Sequence, residues 1–460
     1  MSRKVIVLGG GLGGYVAAIR AAQLNAQVTL LESNYLGGTC VNNGCIPTKT
    51  LLRSAELFAD FQRASEFGIT IRDACIDYPT VMKRKNTIVN QLRNSVLRLL
   101  EKNKIEVISG IGHFVDSHTV GMEGSKERLM ADNIIIATGA QTQTLRIPGV
   151  DTEDVINSDE ALDLVQIPKR FVVIGGGVIG LEFAQIFNTM GSETTLIEIT
   201  PHILPTEDTE VTDMLAHLLM REGISINTSA SVTRIKDNPG GGKIVSFVSQ
   251  EQERQVIADK ILIAVGRRPN IDKLGLDKIG IRVHEGAIAV DERMQTSIPD
   301  IYAIGDVTGG YMLAHVAMAQ GRCAAENLMG HNSKVNYSTV PRCVYTFPEI
   351  ASVGLSEMEA RQRYEEIAVG RFPLSANGRA LTLDSRPAGM IKIIAEPEHN
   401  LILGGTILGP NATEVISGLS LAIGMEATFH DIVATVHAHP SLSEIVLDAS
   451  LAGLNQGIQF

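Results

Sequence analysis

Two cysteines near the amino terminus stand in a setting that favours redox chemistry. Cys40 and Cys45 are separated by four residues, and Cys45 precedes Ile46-Pro47 and an apolar run that predicts a helix. Proline suits the first turn of a helix, where a thiol feels the positive end of the helix dipole. Lys49, one turn further along, adds a positive charge on the same face. We therefore expect Cys45 to ionise easily and Cys40 to lie within reach of a disulfide.

Two other interpretations of this cysteine pair remain open. One is half of a zinc site, but zinc needs four ligands, and the remaining cysteines are isolated at positions 75, 323 and 343. The other is a structural disulfide, which is rare in reducing compartments. The redox pair is favoured over both, and we predict no metal site.

The length and composition indicate a multidomain α/β protein. The chain has 460 residues, 44% of them hydrophobic, and 44 glycines, which suits about three domains with many tight strand-to-helix turns. The net charge is −11 and no basic run occurs, which argues against nucleic-acid binding. No apolar run reaches the length of a membrane span, and residues 5–8 are too short for a signal-peptide core. We therefore expect a cytoplasmic protein.

The first glycine-rich turn has the context of a dinucleotide-binding fingerprint. The apolar residues 5–8 predict a strand, and Gly9, Gly11 and Gly14 form G-x-G-x-x-G before a helical stretch. The next predicted strand ends at Glu32, 21 positions beyond Gly11, where a carboxylate meets an adenosine ribose. Glycines let the backbone approach a pyrophosphate, and the helix N-terminus stabilises its charge.

The same pattern occurs a second time. Gly175, Gly177 and Gly180 follow an apolar strand and precede a helix, and the next strand ends at Glu198, again 21 positions beyond the middle glycine. Two such units predict two dinucleotides. An acid at position 198 would repel a 2′-phosphate, and residues 199–205 contain no arginine, so NAD is favoured over NADP.

The stretches between these motifs predict the elements that carry them. Helical patterns cover residues 47–66, 79–102 and 312–328, and apolar runs predict strands at 133–139, 261–265 and 301–304. Asp306 follows the last of these strands, where α/β sheets place ligand contacts, although it could equally cap a helix. Residues 147–149 predict a domain boundary.

A histidine near the carboxyl end could act as a catalytic base that a nearby glutamate orients. His439 precedes Pro440 and lies outside a helix, while Glu444 falls in the helix that we expect Pro440 and Ser441 to open. A carboxylate on one imidazole nitrogen leaves the other free to accept a proton. The pair His437 and His439 could also bind a metal, and a lone histidine is usually inert.

Together these motifs resemble those of the flavin-dependent pyridine nucleotide-disulfide oxidoreductases. The matching stretches are residues 9–32, 37–49, 137–139, 175–198, 266–269, 296–317, 341–357 and 437–444. The resemblance implies two Rossmann-like dinucleotide-binding domains plus a C-terminal α+β dimerisation domain. It places the FAD-binding domain at 1–148 with a returning segment at 270–337, the NAD-binding domain at 149–269, and the dimerisation domain at 338–460.

The resemblance also implies which residues hold the two cofactors. One non-covalent FAD per subunit would be held by Gly9, Gly11, Gly14, Glu32, Thr39, Lys49, Gly112, Gly139, Asp306, Met312, Leu313, Ala314 and His315. NAD would be held by Gly175, Gly177, Gly180, Glu182, Glu198, Val232 and Gly266.

The activity implied by the resemblance is the oxidation of a dihydrolipoyl group on a carrier domain or protein, with NAD as the final acceptor. Cys45 would face the flavin and Cys40 would exchange with substrate, while Lys49 would pair with Glu182 near the flavin. His439, oriented by Glu444, would serve the other subunit of a homodimer. The alternatives are a related FAD-dependent disulfide or metal-ion reductase that uses NAD(P)H, and a non-enzymatic scaffold in a multienzyme complex.

The sequence departs from the family pattern at four positions. Asn43 stands where valine is commoner, Ser441 where threonine is usual, and Val316 and Gln320 where a lysine and a glutamate are familiar. None of these residues touches a reacting atom in the family scheme, but they could alter which lipoyl protein is preferred.

Overall fold

A parallel sheet forms the centre of the first nucleotide-binding unit. The computed structural model describes residues 2–458. In spatial order the strands of this sheet are Ile301–Ala303, Asn133–Ile136, Lys4–Leu8, Gln27–Glu32 and Glu106–Ser109. The segment that follows the second unit therefore returns its strand to the edge of the first sheet, beside Asn133–Ile136.

A second parallel sheet repeats this arrangement. Its strands, in spatial order, are Ser225–Asn227, Glu193–Ile197, Arg170–Ile174, Lys260–Ile263 and Val155–Ile156. The helix Leu12–Gln23 follows the first strand of the first unit, and Val178–Thr189 follows that of the second. Parallel strands with buried, almost continuous apolar residues are expected where helices cover both faces of a sheet.

The carboxyl-terminal part is built on an antiparallel sheet. In spatial order its strands are Arg342–Val344, Glu349–Gly354, Ile402–Gly409, Met390–Ala395 and Ala368–Pro373. The helices Ala412–Gly424 and Glu444–Gly453 pack against it and share its apolar core. This combination is the expected α+β domain.

Smaller sheets complete the strand inventory. Two are three-stranded and antiparallel, with strands Gly112–Asp116, Thr119–Met122 and Arg128–Met130, and Ala230–Asp237, Lys243–Ser249 and Gln252–Ala258. Two are ribbons, which pair Ala140–Thr142 with Arg267–Pro269 and Val283–His284 with Ala287–Ile288. The first ribbon connects the ends of the two nucleotide-binding units.

The remaining helices and short turns complete the fold. The α-helices are Gly38–Asn42, Cys45–Gln62, Tyr78–Lys102, Ser158–Ala161, Thr209–Arg221, Leu276–Ile279, Ala314–Leu328, Glu357–Arg363, Gly378–Leu383 and Phe429–Ala434. The 3-10 turns are Ala64–Phe67, Gly305–Thr308, Tyr337–Thr339 and Leu374–Ala376. The predicted α/β fold class is confirmed, while the domain boundaries stay a prediction.

Buried charges join the second unit to the carboxyl-terminal sheet. Lys392 is 2% exposed, and its ammonium lies 2.9 Å from Asp208, 2.6 Å from Glu210 and 3.0 Å from Glu357. Asp208 and Glu210 lie at the start of Thr209–Arg221, where acids are favoured by the helix dipole. A lysine surrounded by three carboxylates fixes the orientation of the two parts, because any separation would leave buried charges unpaired.

Several predicted helix boundaries were wrong. The helix expected at residues 47–66 begins at Cys45 and ends at Gln62, and the one expected at 312–328 begins at Ala314, because Met312 has a φ of +46°. The helix expected to open at Pro440 and Ser441 begins at Glu444. The short helix Gly38–Asn42 was not predicted.

Candidate active site

The two redox candidates lie on consecutive helices. Cys40 is in the middle of Gly38–Asn42, and Cys45 is the first residue of Cys45–Gln62. Both are partly buried free thiols in this structure. The sharp turn before them depends on Gly37, whose φ of +94° is disfavoured for any side chain. Cys45 occupies the N-terminus of its helix, as expected, and Pro47 lies in the first turn, two residues after the helix begins.

The two thiols differ in their acidity. A hydrogen bond from the Cys40 thiol lowers the pKa of Cys45 to about 7, and the Lys49 ammonium acts in the same direction while burial opposes both. The same hydrogen bond, together with burial, raises the pKa of Cys40 well above its usual range. Near neutral pH a substantial share of Cys45 is therefore thiolate, while Cys40 keeps its proton.

A partly buried ion pair lies beside Cys45. The Lys49 ammonium is 2.8 Å from each carboxylate oxygen of Glu182, a residue that is 2% exposed. The backbone N–H of Tyr345 donates to the same carboxylate at 3.1 Å, and its ring centroid lies 4.5 Å from the ammonium. Lys49 belongs to the helix that Cys45 opens, Glu182 to the helix of the second nucleotide unit, and Tyr345 to the carboxyl-terminal part. The predicted Lys49–Glu182 pair is thus a junction of three regions.

A cleft at the end of the first sheet has the features of a dinucleotide site. Its volume is about 330 Å³. The Glu32 carboxylate lies in it, accepting from the backbone N–H of Gly10 at 2.6 Å and from that of Asn34 at 2.8 Å. Of the residues predicted to hold FAD, those that line the cleft are Gly9, Gly11, Glu32, Thr39, Gly112 and Gly139.

Two observations show that this cleft fits a dinucleotide. A Cβ on Gly14 would lie 1.9 Å from the carbonyl oxygen of Gly9, so only glycine permits this close turn. Arg267 is not itself a lining residue, but it donates at 2.7 Å to the carbonyl of Ala140, which lines the cleft, and its buried Nε has no partner among the residues that the structure describes. An unpaired guanidinium nitrogen suits a ligand with acceptor oxygens, such as a pyrophosphate.

The remaining residues predicted to hold FAD lie outside the lining of this cleft. Gly14 is buried beneath the turn, and Asp306 lies in Gly305–Thr308, where burial raises its pKa against the effect of Arg267. The last four of these residues lie at the start of the helix Ala314–Leu328: Met312 and Leu313 precede it, and Ala314 and His315 are its first two residues. His315 borders a second cavity of about 540 Å³ and its Nε2 lies 2.8 Å from the carbonyl of Pro341.

The second nucleotide unit reproduces the turn of the first. A Cβ on Gly180 would lie 1.9 Å from the carbonyl oxygen of Gly175, and Gly175 itself has a φ of +114°. The Glu198 carboxylate accepts from the backbone N–H of Gly176 at 2.5 Å and from that of Thr200 at 2.7 Å. Gly177 has open space around its Cβ position.

The other predicted NAD residues lie around this turn. Gly266 has a φ of +113° in the loop between Lys260–Ile263 and Arg267–Pro269. Val232 is at a bulge in Ala230–Asp237, whose first residue donates its N–H to the Glu198 carbonyl at 2.9 Å. The structure therefore brings these residues to the same end of the second sheet.

The predicted contact between His439 and Glu444 forms within one chain. His439 Nδ1 lies 2.8 Å from a Glu444 carboxylate oxygen, and the N–H of Ser441 donates to the other oxygen at 2.6 Å. Burial works to raise the pKa of Glu444, but the hydrogen bonds from His439 and Ser441 lower it below its usual value. The His439 side chain is 76% exposed, so its second ring nitrogen faces outward from this chain.

Comparison with known proteins identifies the family. The model of the pyridine nucleotide-disulphide oxidoreductases matches residues 3–321, and that of their dimerisation domain matches residues 340–450. The chain belongs to this family. The second match supports the predicted homodimer, and FAD and NAD, the cofactors predicted from the sequence, are those that the family's dihydrolipoyl dehydrogenases use.

Full-length relatives of this pyridine nucleotide-disulphide oxidoreductase include several dihydrolipoyl dehydrogenases. The enzyme of Thermus scotoductus is 42% identical over 99% of this chain and 98% of its own length. Those of Bacillus subtilis and Chlamydia muridarum are each 40% identical over 98% of this chain, covering 97% and 96% of their own lengths.

Solved structures of the family share the whole architecture. LpdA from Mycobacterium tuberculosis is 29% identical with a TM-score of 0.90, over 97% of this chain and 99% of its own. The HOCl-induced flavoprotein disulfide reductase RclA from Escherichia coli, in complex with Cu(II), is 31% identical with a TM-score of 0.87, over 98% and 99%.

Residues 2–458 lack both a membrane-spanning helix and a cluster of metal ligands. Within that range no helix combines the length and apolar character needed to cross a membrane. The same residues contain no group of three or more histidines, cysteines or acids placed to hold a metal ion.

Four residues of this oxidoreductase were missed by the sequence reasoning. Tyr345 contacts the predicted site through packing between distant segments, for which one sequence carries no signal. Thr200 is two residues after Glu198, so its backbone N–H could have been inferred, but its hydroxyl contact depends on the rotamer of the side chain. Asn34 was detectable, because it follows Glu32 in the fingerprint and its N–H holds that carboxylate. Arg267 lies in residues 266–269, one of the stretches that carry the family resemblance, so its place beside the cleft could have been inferred from that motif.

Proposed function

We propose that this chain is a dihydrolipoyl dehydrogenase, which oxidises a protein-bound dihydrolipoyl group and delivers the electrons to NAD. The observation that carries the proposal is the unequal thiol pair, in which Cys45 has a pKa of about 7 at a helix N-terminus and Cys40 remains protonated. The full-length similarity to dihydrolipoyl dehydrogenases supports this choice of substrate.

The proposed reaction begins with the oxidised Cys40–Cys45 disulfide. His439 takes the proton of one substrate thiol, and the resulting thiolate attacks the sulfur of Cys40. A mixed disulfide forms while the electron pair of the broken bond leaves on Cys45. The second substrate thiol then attacks the mixed disulfide, and its proton passes to Cys40. The substrate leaves as a disulfide, and the chain retains a Cys40 thiol and a Cys45 thiolate.

The reduced pair must be held ready for the next electron transfer. The chemistry that bound FAD supplies is two-electron transfer between a thiolate and the nicotinamide ring of NAD. Lys49 stabilises the Cys45 thiolate, and Glu182 fixes the position of the Lys49 ammonium by two 2.8 Å contacts. FAD is proposed to bind at the first glycine turn and NAD at the second, through the residues predicted for each cofactor.

The proposed enzyme works as a homodimer with a lipoyl-bearing carrier as its partner. In this proposal, the His439–Glu444 pair of one subunit serves the cysteines of the other, which agrees with the exposure of the His439 ring. Residues 1–148 and 270–337 would form the FAD domain, 149–269 the NAD domain and 338–460 the dimerisation domain. The cytoplasm is the proposed location.

The direct test is an anaerobic titration of the purified protein with dihydrolipoamide and with NADH. Both reductants should change the flavin spectrum, and Cys45→Ser should retain flavin but lose turnover with dihydrolipoamide. His439→Gln should reduce dithiol oxidation by roughly 10²–10⁴-fold while flavin binding persists. A colourless protein, or full turnover in Cys45→Ser, would contradict the proposal.

The alternative is another FAD-dependent disulfide or metal-ion reductase. Turnover with glutathione disulfide or Cu(II), compared with lipoamide at equal concentrations and with NADH and NADPH in parallel, separates the two functions. A preference for one of those acceptors would replace the lipoyl substrate. A protein that binds lipoyl carriers without turnover would indicate the scaffold role instead.

A further inference from the structure

The acids of the two nucleotide units are held by different numbers of donors. Glu32 accepts two backbone N–H groups, one on each oxygen, from Gly10 and Asn34. Glu198 accepts the corresponding two, from Gly176 and Thr200, and additionally the hydroxyl of Thr200 at 2.7 Å. The third donor is the difference between the two sites.

The extra donor uses acceptor capacity that a ribose would need. A carboxylate offers about four acceptor positions, two on each oxygen. Counting donors in the described part of the chain, Glu32 has one free position on each oxygen, so it can accept both hydroxyls of a ribose. On Glu198 the N–H and the hydroxyl of Thr200 both fall on the same oxygen, Oε1, which leaves a free position only on Oε2.

The Thr200 hydroxyl has a second place to donate. It also lies 2.7 Å from the carbonyl oxygen of His202, and a hydroxyl has only one proton to give. The Thr200 carbonyl accepts from the N–H of Ser229 at 2.8 Å, which fixes the backbone beneath the hydroxyl. A bond to a carboxylate is stronger than one to a neutral carbonyl, so in the free protein the proton points to Glu198.

We propose that Thr200 competes with the coenzyme ribose for Glu198 and thereby weakens coenzyme binding. This inference rests on the proposed contact between Glu198 and the NAD ribose. When a second ribose hydroxyl approaches Oε1, the Thr200 proton must turn to His202, exchanging a stronger hydrogen bond for a weaker one. Thr200 is therefore a positioning residue that adjusts affinity, and it suits a dinucleotide that must leave after every turnover.

The test compares two substitutions in the flavin-loaded protein. Thr200→Val removes the competing hydroxyl and keeps the β-branched shape, so NADH should bind about threefold to tenfold more tightly, as measured by fluorescence titration. Thr200→Ser keeps the hydroxyl and should bind NADH like the parent chain. A structural role for Thr200 predicts the opposite sign, because lost packing weakens binding.

Two reference variants separate the possible failures. Glu198→Gln should weaken NADH binding in either background, and an unchanged affinity would overturn the proposed role of Glu198 itself. Thr29→Val removes another hydroxyl-to-carboxylate bond, the one to Glu106 at 2.9 Å, and should leave NADH binding unchanged. If Glu198→Gln weakens binding but Thr200→Val gives equal or weaker binding than the parent, the competition by Thr200 is refuted.

Discussion

The two nucleotide-binding units each have the same strand, turn and helix, but another segment of the chain lies against the middle glycine of the turn only in the first unit. In the first unit, Gly11 faces the backbone of Gly38, and the helix Leu12–Gln23 packs so closely on Ala314–Leu328 that a Cβ on Gly13 would lie 2.9 Å from a carbonyl oxygen. In the second unit, no atom of residues 2–458 lies within 4 Å of a Cβ built on Gly177.

This difference corresponds to what each site must do. An enclosed site suits a dinucleotide that stays bound through many turnovers, because leaving would require the covering segment to open. An open site suits a dinucleotide that enters and leaves each time. The segment that covers the first unit also carries Cys40, so the redox pair and the first cleft are built from the same stretch of chain.

The largest predicted effect concerns the feature that both units share. Gly14→Ala and Gly180→Ala each place a Cβ 1.9 Å from a backbone carbonyl oxygen. Since neither backbone can move without breaking its strand, each change should cost on the order of 4 kcal/mol or more in the free energy of unfolding. Thermal unfolding measures the loss, and a variant with parental stability in either unit would show that the turns are looser than described.

The second prediction concerns the ion pair that joins the two units. Lys49→Met leaves the buried Glu182 carboxylate without its cation and should cost about 2–3 kcal/mol, reduced from the fully buried value because Lys49 is partly exposed. It should also raise the pKa of Cys45 above about 7, because Lys49 lowers that pKa. Glu182→Gln should shift the Cys45 pKa in the opposite direction, because Glu182 raises it.

Alkylation of the reduced protein across pH measures the second prediction. In the parent chain the rate at Cys45 should rise with pH and reach half its maximum near pH 7, since only the thiolate reacts. Cys40 should react slowly over the same range, because its pKa is raised. Shifts of the same sign in Lys49→Met and Glu182→Gln would contradict the electrostatic account of the junction.

The third prediction separates the closed unit from the open one. Gly38→Ala would place a Cβ 2.6 Å from the Cα of Gly11, at a φ of +59°, and should cost about 1–3 kcal/mol and release flavin more readily. Gly177→Ala meets no atom and should leave stability and flavin content unchanged while altering NADH binding. Flavin retention after dialysis decides the comparison, and equal losses in the two variants would remove the distinction.

The parts of this arrangement that could be predicted are local in sequence. Gly9 to Glu32 and Gly175 to Glu198 each place strand, turn, helix and acid in one short stretch, so their periodicity and glycine spacing were sufficient. The helix Gly38–Asn42 escaped because its five residues give no periodic signal and its start depends on Gly37 at positive φ. The start at Glu444 was misplaced because Ser441 donates to that carboxylate and holds residues 441–443 in a turn.

Two contacts could not be predicted, for different reasons. The ring of Tyr345 over Lys49 depends on how distant parts of the chain pack, and the hydroxyl of Thr200 on Glu198 depends on which rotamer Thr200 adopts. Neither property has a periodicity in the sequence. The paired acids were predictable as residues, whereas the number of donors around each acid was not, and that number distinguishes the two units.

The smallest predicted effect tests how much the carboxyl-terminal part, through Tyr345, stabilises the Lys49–Glu182 ion pair. Tyr345→Leu removes the ring that covers the Lys49 ammonium at 4.5 Å and should cost about 0.5–1 kcal/mol, whereas Tyr345→Phe keeps the ring and should cost almost nothing. The hydrogen bond from the Tyr345 N–H to Glu182 persists in both variants, because it belongs to the backbone. Combining Tyr345→Leu with Lys49→Met should cost less than the sum of the two, since the contact can be lost only once. Full additivity would mean that the ring packs near Lys49 without stabilising the Lys49–Glu182 ion pair.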